Sequence, residues 1–172
     1  MTLRTNARVA GFAYYLYIAA GIGSLAAGRG PLSSVLSLFE SLSALLLGVS
    51  LYAITRDEDR DLAMLAMLCR VVEAVPGEGA FFFALGSTIF CWLLMRGRMI
   101  PAGLAWLGVA ASGMMVVLVP LQRGGVISGR DWSSPVTWLM WLPMLIFELA
   151  FAAWLLVKGV EPSAKSSVRA QP

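Results

Sequence analysis

Between Arg8 and Arg29 the chain runs for twenty residues without a charge, Val9 to Gly28, and between Arg98 and Arg123 for twenty-four, Met99 to Gln122. At 1.5 Å of rise per residue either stretch, as a helix, crosses a hydrocarbon layer of about 30 Å. Leu32 to Thr55 and Trp132 to Val157 are as long and as apolar, except for one glutamate each, Glu40 and Glu148. The region Asp61 to Met95 is too long for one crossing, since a straight helix there would extend about 52 Å. Its break falls at Pro76-Gly77-Glu78-Gly79, where proline lacks a backbone donor and glycine tolerates the dihedrals of a tight turn. The pattern therefore predicts six spans, roughly 9 to 28, 33 to 55, 61 to 76, 79 to 96, 101 to 121 and 135 to 158. The fold class is all-α, a polytopic transmembrane bundle of six helices occupying residues 1–160. Residues 161–172, polar and mixed in charge, read as a short disordered cytoplasmic tail.

The charges test the count. With six spans, Arg4, Arg8, Arg56, Arg60, Arg96, Arg98, Lys158, Lys165 and Arg169 fall on one side and Arg29, Arg123 and Arg130 on the other, nine cations against three. By the positive-inside rule both termini are then cytoplasmic. Were Asp61 to Met95 a single span, the loop cations would divide evenly and no orientation would follow. Punctuation agrees: Pro101 opens the fifth span, Pro135 the sixth after Ser133 and Ser134 as candidate caps, and Gly159 and Pro162 close it. Trp106, Trp132, Trp138 and Trp154 lie near span ends, as interfacial aromatics do. Ser34, Ser37, Ser41, Ala44 and Gly48 form a small-residue stripe on the second span, with a weaker one at Ala19 and Gly23, where another helix can approach.

Composition narrows the function classes. The chain is 59% hydrophobic and 13% charged, with a mean hydropathy of +0.78. Arg4 and Arg8 before an apolar run resemble the start of a signal peptide, but the run is longer than the 7 to 15 residues of a cleaved one. The net charge of +3 comes from cations scattered at span ends, which argues for membrane topology and against nucleic acid. Cys69 and Cys91 lie inside apolar stretches and read as small buried hydrophobes, with neither metal spacing nor a disulfide framework. Histidine is absent, which removes the commonest general base and metal ligand. With no nucleophile elbow, dinucleotide-binding or phosphate-loop motif either, the expectation is a protein that is not an enzyme and holds no cofactor or metal.

The chemistry that remains lies in the charges inside the spans. Counted from the cytoplasmic ends, Arg70 and Glu148 both sit at about 14 to 15 Å, and Glu40 at about 22 Å. Glu73 is one turn beyond Arg70 on the same helix face. A charged side chain near the bilayer centre costs about 2.5 to 3.5 kcal/mol, so Arg70 and Glu73 must face inward. There Glu73 can pair with Arg70 and Glu148 can take the second edge of the guanidinium fork. Glu78 falls in the outer turn, in water. Three acids against one base leave the layer unbalanced, so Arg70, Glu73, Glu148 and Glu40 are the candidate site for a proton, a cation or a small ligand. The bland alternative is interhelical glue for Arg70, Glu73 and Glu148, and partial exposure near the outer surface for Glu40.

The segments "ARVAGFAYYL", "LLLGVSLYAI", "LCRVVEA", "RGRMIPAGLAWLG" and "FELAFAAWLLVKG" are spread over nearly the whole chain. On them the protein resembles a bacterial integral membrane family, domain of unknown function 4386. Arg70, Glu73 and Glu148 fall on positions that the resemblance shares, whereas Glu40 is not placed by it, and the outer turn "PGEG" is shorter than the family's. The resemblance implies a multi-pass protein of the bacterial cytoplasmic membrane. Two functions follow from the residues: a proton, cation or small-ligand site serving transport or sensing, or a non-catalytic membrane subunit whose buried charges are structural. The expected partners are the lipid bilayer, such a ligand, and an oligomer or partner subunit.

Overall fold

The computed structural model describes residues 2–75, 79–127, 132 and 134–163, and within them every regular element is a helix. In chain order these are α1 (Leu3–Ala27), α2 (Pro31–Thr55), α3 (Arg60–Glu73), α4 (Gly79–Arg96), α5 (Ala102–Arg123) and α6 (Pro135–Val157). In an apolar solvent a backbone can satisfy its polar groups only internally, which is why each apolar run is helical from end to end. The ends are set by local chemistry. Thr2 accepts from Thr5 N at the start of α1, Asp59 from Leu62 N at α3, and Ser134 from Val136 N at α6. Pro31 and Pro135 stand in first turns, where a missing N–H costs nothing.

The helices form a closed ring in which each packs on the next and α6 returns to α1. Direction alternates around it. Tyr15 of α1 donates to the Leu149 carbonyl of α6, and a Cβ on Gly159 would lie 4.0 Å from that of Ala7. The chain therefore enters and leaves the bundle at the same end, called here the terminal end, and the α1–α2 and α5–α6 connections mark the far end.

The surface is inverted relative to a protein in water. Phe12, Leu32, Leu38, Val49, Leu139 and Val157 are among the large apolar side chains that point outward, while Arg70 is 0% and Glu148 4% exposed. Five of the six helices are long and apolar enough to cross a membrane, so the protein is a multi-pass membrane protein. The exception is α3. Its fourteen residues rise only about 21 Å, and it ends at Glu73 instead of the expected Pro76. The α3–α4 hairpin thus stops well short of the far end reached by α2, which is twenty-five residues long.

Small residues bring α3 close to both neighbours. A Cβ on Gly86 of α4 would stand 2.9 Å from Cys69 Cβ, and one on Gly48 of α2 would stand 3.0 Å from Arg70 Cβ. At the terminal end, Arg96 Nε reaches Glu58 at 3.1 Å, Ser163 donates to the same carboxylate at 3.0 Å, and Glu161 N donates to the Met99 carbonyl. The ordered chain thus runs past residue 160 to a buried Ser163. The remainder of the expected tail, the expected outer turn with Glu78, and Ser133 and Arg130 lie outside the described residues.

Candidate functional site

Arg70 is the largest fully buried side chain of the bundle. Its Nη1 donates to both oxygens of Glu73, at 2.9 and 3.2 Å, and its Nη2 donates to Ser87 Oγ of α4 at 3.1 Å. The guanidinium lies 4.9 Å from the Phe83 ring centre and 6.0 Å from those of Tyr14 and Tyr17. Tyr17 OH closes the arrangement by donating to Glu73 Oε1 at 2.7 Å. Three helices thus hold one ion pair inside an aromatic enclosure, where low dielectric strengthens each contact and makes loss of either partner costly.

Glu148 stands apart from this pair. No Arg70 nitrogen is within the 4.0 Å of an ion pair, and Ser87 accepts from the guanidinium edge expected to meet Glu148. Glu148 Oε1 and Arg70 Nε are both buried with no hydrogen-bond partner among the described residues.

Glu40 and Glu73 meet around one cavity of about 320 Å³. It occupies the space left where the short α3–α4 hairpin ends, and it opens beside Ser37 and Val75, both exposed. One wall is a stack of three rings: Tyr17 lies 6.2 Å and 9° from Phe83, which lies 5.7 Å and 22° from Trp141. The opposite wall is the small-residue stripe of α2, with Ser37, Ser41 and Ala44 around Glu40. Gly21 of α1 makes room for the Glu40 carboxylate, whose Oε1 would lie 3.3 Å from a Cβ at that position. Glu40 makes no hydrogen bond or ion pair among the described residues.

The structure therefore pairs Arg70 with Glu73 and sets Glu73 and Glu40 around one cavity, while Glu148 joins neither. The sequence reading did not find Tyr17, Phe83, Ser87 and Trp141. One signal was available for Tyr17: a tyrosine in mid-span needs a partner for its hydroxyl. The Asp, Glu and Cys side chains form no group of three or more suited to a metal among the described residues.

Residues 78–159 match the family model described as Domain of unknown function (DUF4386). The match is in keeping with the resemblance. The match covers α4 to α6 and includes Ser87, Trp141 and Glu148, while Glu40, Arg70 and Glu73 lie before it. No curated protein and no solved structure matches the chain.

Proposed function

We propose that the cavity between Glu40 and Glu73 is a binding site for a proton, a cation or a small ligand, serving transport or sensing across a bacterial cytoplasmic membrane. The observation that carries this reading is an unpaired carboxylate, Glu40, in an open cavity between helices whose other acid, Glu73, is already shared with Arg70. Charge inside a membrane protein is costly and is retained where it pairs or where it works. Arg70 and Glu73 pair. Glu40 does not, so a ligand is the natural source of its balance.

A second reading, a non-catalytic membrane subunit with structural charges, is favoured by the completeness of the Arg70 enclosure. It fits Arg70 and Ser87 well and leaves Glu40 unexplained. Enzymatic activity is not proposed. The nine-to-three distribution of cations supports cytoplasmic termini, and Asp57→Cys tests it. Asp57 is exposed at the terminal end, so an impermeant thiol reagent added to intact cells should leave that cysteine unlabelled.

Purified protein in liposomes, assayed for proton and cation flux, tests the site. Glu40→Gln and Glu73→Gln keep side-chain shape while removing charge. Flux that falls about tenfold or more in folded Glu40→Gln supports transport through this site. Equal flux in both variants and the parent would refute it.

A further inference from the structure

The lining of the same cavity says which chemical class it takes. We infer that its ligand is a small organic cation, an ammonium bearing a compact apolar body; the inference rests on the site proposed above and narrows it.

Charge comes first. Arg70, Glu73 and Glu40 sum to one negative charge when all are ionised, so a single positive charge balances the cavity. Arg70 does not line the cavity, and its Nη groups donate to Glu73 and to Ser87, so it presents no donor to an anion there. Ser37 Oγ lies 3.2 Å from Ser24 Oγ, and two other lining hydroxyls have assigned acceptors. Tyr17 donates to Glu73 and Ser41 to the Ala74 carbonyl. The charged group left facing the space is the Glu40 carboxylate, the complement of a positive charge.

The walls decide between an inorganic and an organic ion. A hard metal cation wants six or more oxygens arranged about it, and here the lining supplies Glu40, serine hydroxyls and a Glu73 already bound by Arg70 and Tyr17, while the facing wall is aromatic. Rings repel nothing from an alkylammonium: they attract its charge through their quadrupole and its carbons through burial. Trp141, the strongest cation acceptor among ring types, has no cation over it among the described residues, since the guanidinium sits over Phe83, Tyr14 and Tyr17. A volume of about 320 Å³ lies at the lower end of small-molecule pockets, which suits a compact ion.

The test is binding of tetramethylammonium to the full-length protein in lipid nanodiscs, by calorimetry and thermal shift, with sodium and the neutral tert-butanol as comparators. The expected result is saturable binding of tetramethylammonium that weakens about tenfold in Glu40→Gln and several-fold in Trp141→Leu, with sodium and tert-butanol much weaker. Ser34→Ala, outside the cavity, should leave it unchanged. Circular dichroism and elution profile establish folding, and Glu40→Asp, which keeps the charge, should retain most of the affinity. Equal binding of tert-butanol would mean an apolar crevice, and preferential binding of sodium would mean an inorganic site; either overturns the inference. If sodium or proton flux still depends on Glu40 while tetramethylammonium does not bind, the cavity remains a site and only its ligand class is wrong. If neither binding nor flux depends on Glu40, the underlying reading fails with it.

Discussion

Arg70 and Glu73 meet one turn apart on α3, Nη1 to Oε2 at 2.9 Å, with side chains 0% and 6% exposed. A buried pair of this kind is more sensitive to being broken than to being replaced. Arg70→Met should therefore destabilise the protein more than Arg70→Met combined with Glu73→Leu. The coupling should fall at about 1 to 3 kcal/mol, above the ~0.6 kcal/mol average of polar contacts in membranes, because both groups are desolvated and doubly bonded. Thermal unfolding in detergent across the four members of the cycle measures it. Additive losses would mean that the two residues do not stabilise each other.

Glu148 should behave in the opposite sense. Its Oε1 is buried without a partner, so Glu148→Met exchanges an unsatisfied acid for apolar volume. Such exchanges are neutral or stabilising by about 1 kcal/mol or more, whereas Glu73→Met strands Arg70 and should cost several kcal/mol. The same unfolding assay compares them, and a loss in Glu148→Met equal to that in Glu73→Met would reveal a partner for Glu148.

The approach of α3 to α4 predicts a packing defect. Gly86→Ala places a methyl 2.9 Å from Cys69 Cβ and 3.1 Å from the Ala66 carbonyl oxygen, and backbone cannot yield as a flexible side chain does. Overpacking of this sort costs about 1 to 3 kcal/mol. Gly103→Ala, where no atom lies within 4 Å, should leave the melting temperature unchanged.

At the terminal end, Glu58 holds Arg96 and Ser163 together. Arg96 is 45% exposed, so the ion pair contributes no more than about 1 kcal/mol, and Glu58→Ala should leave the bundle folded. Its local effect is larger: hydrogen exchange at Val160 and Glu161 should accelerate at least several-fold. Unchanged protection there would mean that the segment is held by contacts other than Glu58, the Met99 carbonyl among them.

The bundle was legible because membrane helices announce themselves by length and charge. The limits of α4 follow from Gly79 and the arginine at 96, and α2 begins at Pro31, two residues before the expected start. The end of α3 was placed three residues too far. Val75 precedes a proline, and that position disfavours helical backbone, so the helix closes at Glu73 and the cavity opens above it. The Arg70–Glu73 pair followed from spacing on one helix. Depth along a helix fixes only one coordinate of Glu148, and it is Ser87 of α4, and not Glu148, that meets the guanidinium. The ring stack of Tyr17, Phe83 and Trp141 joins three helices distant in sequence, and no spacing rule relates them.

The central claim is that the charges inside the spans include a closed pair, Arg70 and Glu73, that holds the bundle and an open carboxylate, Glu40, that serves a ligand. The most direct measurement sets Glu40→Gln and Arg70→Met side by side, each read for unfolding temperature in detergent and for cation flux in liposomes. Glu40→Gln should unfold within a few degrees of the parent protein and lose about tenfold or more in flux, whereas Arg70→Met should lose stability first. A destabilised Glu40→Gln with normal flux, beside an Arg70→Met of undiminished stability, would contradict the division.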